Sequence, residues 1–144
     1  MDNRTLAKEL VCEHGTRNPF VIADALGIIV IETPLNGIRG FYQTIHRCQI
    51  IYVDNQLSEP ERVWVCAHEL GHAMLHKGFN RLFMDSCTYM VTNKYELEAD
   101  RFAVDLLVPD DIMEELAGFS VDTVAQCLGL PRHLAAYRME SAPQ

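Results

Sequence analysis

The stretch 58–77, SEPERVWVCAHELGHAMLHK, constrains this chain more than any other. It contains His68-Glu69-Leu70-Gly71-His72, an H-E-x-x-H pattern. On a helix, residues four apart stand on one face about one turn apart, so His68 and His72 aim two imidazoles at a common point. That is how one helix gives two ligands to Zn²⁺. Glu69 follows directly, close enough to take a proton from a water attacking at the metal. The stretch also reads as a helix on its own terms. Ser58 and Glu61 form an S-x-x-E capping box, and Pro60 occupies the permissive first turn. Val63, Ala67, Leu70 and Met74 recur at helical spacing, and Gly78 is the expected stop.

At 144 residues the chain predicts one domain over 1–144, and a 49% hydrophobic content supplies a core. A net charge of −8 excludes the basic footprint of a general nucleic-acid binder. The five cysteines, at 12, 48, 66, 87 and 127, have no C-x-x-C spacing and an odd count. They predict no disulfide framework, a reducing cytoplasm, and small buried hydrophobic roles for the thiols. The first residues, MDNRTLAKELVCEHG, contain no apolar leader core, so no signal peptide is expected. No apolar run approaches the roughly 18 residues of a membrane span.

Residues 3–14 read as a helix stopped by Gly15, and Asn18-Pro19 caps a second helix ending at Gly27. Ile28–Glu32 is β-branched and reads as a buried strand. Pro34, Asn36 and Gly37 mark a turn. Strands follow over Ile38–Ile45 and Gln49–Asp54, joined near His46-Arg47, where His46 is a solvated turn residue. The strand after Gly40 is a candidate edge, whose unpaired backbone groups can hold an extended peptide. Residues 78–92 read as a loop, whose Phe79, Leu82, Phe83, Met84, Tyr89 and Met90 pack as a flap onto the core or, as the alternative, form one wall of a substrate groove. A second long helix is expected over 93–107, with Asn93 and Glu96 as its capping pair and Pro109 beyond its end. A short helix runs from Pro109 to Ala117. Ser120–Leu128, Gly129 and Pro131–Met139 then form a helix-turn-helix-like pair.

Two histidines do not complete a catalytic zinc site, which takes three protein ligands. His76, Glu96, Glu98 and Asp100 are the candidates. Glu96 and Asp100 lie four apart on one helix face, whereas Glu98 points about 200° from Glu96. Only one of the two glutamates can therefore face the metal together with Asp100. Glu96 is the expected ligand, and Asp100 then accepts the free ring N–H of a ligand histidine. His76, one turn beyond His72, is expected behind the ligands or at the far end of the cleft. A donor for a tetrahedral oxyanion is sought among Tyr89, Tyr95 and His133, and spacing does not rank them.

Three segments in order, HELGHAMLH, ELEADRFAVDLLVP and VAQCLGLPRHLAAYR, resemble the ImmA/IrrE metallopeptidases over about residues 18–140. The second string is far more specific than the first, which many zinc peptidases share. The resemblance implies an α+β, gluzincin-like fold: a small mixed sheet against the H-E-x-x-H helix and a glutamate-bearing helix, with a C-terminal helical pair. It implies His68, His72 and Glu96 on Zn²⁺ with Glu69 as general base. It further implies cleavage of a helix-turn-helix repressor of a phage or mobile element, and a stand-alone form encoded beside that repressor. A second class is a non-catalytic, zinc-stabilised module that binds a regulator or DNA through 120–139. Against it, the second helix there carries only Arg132, His133 and Arg138 as cations on an acidic chain.

Overall fold

The computed structural model describes residues 2–77 and 89–141, with the backbone alone for 89–92. Among these residues seven helices and three strands form an α+β architecture. The order is α1 (Asn3–His14), α2 (Pro19–Ala25), β1 (Ile29–Thr33), β2 (Gly40–Ile45), β3 (Cys48–Asp54) and α3 (Glu59–Leu75). There follow α4 (Tyr89–Leu107), α5 (Asp110–Glu115), α6 (Val121–Leu128) and α7 (Arg132–Glu140). Among the described residues no helix is long and apolar enough to cross a membrane.

The sheet order is β1-β3-β2, with β1 parallel and β2 antiparallel to β3. The β2–β3 turn uses His46 and Arg47 at φ 49° and 68°, the left-handed geometry that fits the twist of a two-residue hairpin. Ile51 and Val53 on β3 are fully buried, because α2 and α3 cover that face. β2 is an edge, as its sequence suggested. β1 is the other edge, not the expected buried strand: Ile29 and Ile31 are 47% and 37% exposed. A β-branched run favours extended backbone but carries no information on which strand takes the centre, and β3 takes it here.

Two apolar clusters hold the molecule. The larger joins α1, α2, the sheet, α3 and α4, with Leu70, Phe102 and Leu106 fully buried. The smaller joins the end of α4 to α5, α6 and α7 around Val104, Val124 and Leu134. Trp64 packs against both. Cutting Phe102 to alanine would cost ~3–5 kcal/mol.

α4 starts at Tyr89 rather than at Asn93, so Asn93 and Glu96 are interior residues and not a capping pair. The reason is local: residues 89–92 contain no Gly or Pro to stop a helix from extending backwards. Most of the expected flap, including Phe79, Leu82, Phe83 and Met84, lies outside the described residues, as do Gly78 and Cys87. Among the described cysteines only Cys66 is buried, and all four are free. Cys12, Cys48 and Cys127 are exposed, which corrects their expected burial. A small apolar side chain fits the surface at little cost, and single exposed apolar groups are ordinary.

Candidate metal centre

The site is built on α3, and its start is fixed locally. The Ser58 hydroxyl accepts from the Glu61 N–H, and the Glu61 carboxylate accepts from the Ser58 N–H, with Pro60 in the first turn. The helix then carries His68, Glu69 and His72 to one place, where one ligand atom of each lies within 4.8 Å of the others. The sheet anchors the far end of α3, since the Gln49 amide donates to the Ala73 carbonyl at 2.9 Å.

α4 supplies the opposite wall, and Gly71 admits it. A Cβ at Gly71 would lie 3.1 Å from the Phe102 ring and 3.2 Å from the Ala99 Cα. The glycine inside the motif therefore sets how closely the helices approach. That close approach brings Glu96 and Asp100, four apart on α4, onto the histidines.

The contacts are specific. The Glu96 carboxylate meets His68 Nε2 at 3.0 Å and His72 Nε2 at 2.9 Å, one oxygen to each ring. His68 Nδ1–H donates to Asp100 Oδ1 at 2.7 Å. His72 Nδ1 and His76 Nδ1 are 2.9 Å apart, one donating to the other. Behind them, His76 Nε2 lies 3.6 Å from Glu98. Glu69, His72 and His76 are buried.

Burial opposes charge on His68, but hydrogen bonds to Asp100 and Glu96 outweigh it and raise its pKa to about 10. Burial also pushes Glu96 upward, yet the two imidazoles bring it well below the ordinary carboxylate range. Burial and the neighbouring His72 push His76 down.

This donor set fits a divalent metal. Without a cation, His68 must carry protons on both nitrogens to face a carboxylate on each side. A metal between Glu96 and the two Nε2 atoms would replace those protons. The Nδ1 contacts behind would then fix each ring, an arrangement common around ligand histidines. Two imidazoles and a carboxylate suit zinc among the common metals.

A cleft of about 410 Å³ opens beside these groups, lined by Arg39, Gly40, Trp64, Val65, His68, Glu69, Glu96 and Asp100. A Cβ at Gly40 would fall 2.4 Å from Val65 Cγ1, so β2 lies directly on α3 beside Glu69. Arg39 and Trp64 were not singled out by the sequence. Arg39 had a legible signal, a cation next to the glycine that starts the edge strand. Of the three oxyanion candidates, the Tyr95 ring packs on His76 with centroids 4.4 Å apart, on the far side of the histidine series from His68. His133 is exposed on α7 and is not among the residues lining the cleft. The Tyr89 side chain lies outside the described residues.

Known proteins share much of this sequence. Residues 23–140 match the peptidase M78 family model, described as the IrrE N-terminal-like domain. The chain is 38% identical over 135 residues to "Uncharacterized immunity region protein 2" of Bacillus phage phi105, covering 92% of this chain and 85% of that protein. It is 28% identical over 138 residues to Metallopeptidase ImmA of Bacillus subtilis strain 168, covering 92% and 80%. The matched family and the named relative place the chain in the metallopeptidase class. Within that class, the chain belongs to the ImmA/IrrE family.

Proposed function

We propose that this protein is a zinc-dependent endopeptidase that acts in the cytoplasm, as one domain, on a helix-turn-helix repressor of a phage or mobile element. His68, His72 and Glu96 hold the zinc. The observation that carries this reading is the convergence of both Nε2 atoms on one carboxylate, with buried Glu69 beside them. A bound zinc supplies Lewis acidity at a carbonyl oxygen and acidifies water.

The chain's own residues do the rest. Glu69 takes the proton of the water as it adds to the carbonyl and passes it to the amide nitrogen, which leaves as the amine when the C–N bond breaks. Asp100 fixes the His68 ring, and His76 fixes that of His72. The edge strand β2 at Gly40, which borders the cleft, holds the substrate extended, main chain to main chain. For the oxyanion donor, Tyr95 and His133 stand away from the cleft, which leaves Tyr89 and Arg39, the cation at the cleft wall.

The repressor substrate is supported by the phage relative, whose printed name places it in an immunity region. The alternative, a module binding DNA through 120–139, finds little support in the charges there. Arg132 is paired with Asp122 at 2.9 Å. Arg138 is buried and donates to the Val108 carbonyl and to Asp110.

The test is co-expression with the repressor encoded beside the gene, followed by mass spectrometry of fragments. One or few discrete cuts, abolished by a chelator, are expected. An intact repressor in the presence of zinc-loaded protein would remove this substrate assignment.

A further inference from the structure

We propose that the apolar groove next to the metal cleft is a specificity subsite, which takes an apolar segment of the polypeptide substrate to one side of the bond cut. This rests on the peptidase reading above. The groove has a volume of about 730 Å³. That is within the roughly 300–1,000 Å³ of cavities that hold compact ligands. One wall is Pro60 and Trp64 of α3, and the other is Ile112 of α5 with the α6–α7 turn around Leu128 and Leu130.

Three observations point to this occupant. First, the groove is continuous with the cleft, because Arg39, Trp64 and Asp100 line both. A chain lying across the metal centre runs directly into it. Second, its large apolar residues are not consumed by the core. Trp64, Ile112, Leu128 and Leu130 all keep part of their surface accessible, although each packs against the smaller cluster. Third, its charges stand where it joins the cleft: Arg39 and Asp100 line both, with Glu61 3.9 Å from Arg39, and the rest of the lining is without charge. The floor therefore favours hydrocarbon over an ionic ligand.

The wall is also preformed, which lowers the ordering cost of binding. Gly129 adopts φ 67°, and the Leu130 N–H donates to the Ala125 carbonyl at 3.0 Å, so the turn holds its shape by its own backbone.

Trp64 is the only tryptophan and reports on the groove by fluorescence. The probes are two blocked decapeptides, one with a Leu-Leu-Phe segment among Ser and Gly, the other with those three residues replaced by Ser. They are titrated into zinc-loaded Glu69→Gln protein, in which cleavage is removed. Saturable change in Trp64 emission is expected with the Leu-Leu-Phe peptide only. Cys127→Phe and Pro60→Arg obstruct the groove from exposed positions on opposite walls. Each should weaken that binding at least about tenfold, with the thermal midpoint verifying the fold of each variant. No saturable change, equal binding of the Ser peptide, or unaltered binding in both variants would overturn the inference. So would concentration-dependent dimerisation, seen by sedimentation and lost in both variants, because a second copy would then be the occupant. Binding without any cleavage by the wild-type protein would count against the peptidase reading and leave the groove assignment standing.

Discussion

Helix α4 carries two polar clusters, one near its middle and one near its C-terminal end, and the two differ in where their protons come from. Near the C-terminal end, Asp105 accepts from the Asn3 amide at 2.9 Å and from the Tyr137 hydroxyl at 2.6 Å. Both donors carry their protons at any ordinary pH, so the cluster is closed and ties α1, α4 and α7 together. Near the middle, Glu96 faces two imidazole Nε2 atoms. A neutral imidazole already donating through Nδ1 has only a lone pair left there. For His68, whose Nδ1–H is given to Asp100, the contact then needs an added proton or a cation. A structural network brings its own donors, whereas a ligand site leaves lone pairs converging.

The largest expected effect follows at once. Glu96→Ala removes the group that both Nε2 atoms address, and zinc should be nearly absent from the purified variant by elemental analysis. The metal-free fold should change little, since the Glu96 side chain is half exposed. Full zinc occupancy in Glu96→Ala, with loss in His76→Ala, would reassign the third ligand.

Much of this contrast was legible in the sequence, for physical reasons that differ by residue. His68, His72, Glu96 and Asp100 obey helical spacing, and the Ser58–Glu61 cap fixes where α3 begins. Both are local rules. Gly71 was not legible as more than a filler of the motif, because its importance lies in Ala99 and Phe102 across the helix interface. The central place of β3, and with it the exposure of β1, depends on pairing between distant segments. The start of α4 at Tyr89 was missed because a cap-like N-x-x-E spacing is equally compatible with a helix interior. The Asp105 network joins positions more than a hundred residues apart in sequence, and no spacing announces it.

Next in size is Asp100. It holds His68 through the shortest contact of the site, 2.7 Å, and Asp100→Asn should lower zinc affinity or activity by roughly 10–100-fold. A chelator competition assay measures this, and wild-type affinity together with wild-type activity would make Asp100 a mere surface acid. Asp105→Ala should do the reverse. Removing a buried acceptor leaves buried donors without it and should lower stability by about 2 kcal/mol in chemical denaturation. Zinc affinity should stay unchanged, and a drop there would mean the two clusters of α4 are not separate.

The smallest effect is a pH dependence confined to the closed cluster. Burial pushes the Asp105 carboxyl above 3.8, against the pull of Tyr137 and Asn3. For a raised pKa the protonated form is the one the fold favours. Its contribution to stability is therefore full below 3.8 and lost as pH rises through the higher folded value. Asp105→Asn cannot titrate, so the wild-type protein should lose stability relative to it across that window. Parallel stability–pH curves for the two proteins would remove this assignment.

The central claim is that converging lone pairs hold a zinc ion whose hydrolytic chemistry depends on Glu69 as the proton carrier. One variant separates the two halves of it. In zinc-loaded Glu69→Gln, metal content should remain at one ion per chain while the rate of peptide cleavage falls by several orders of magnitude. Undiminished cleavage by that variant, with its zinc in place, would contradict the account.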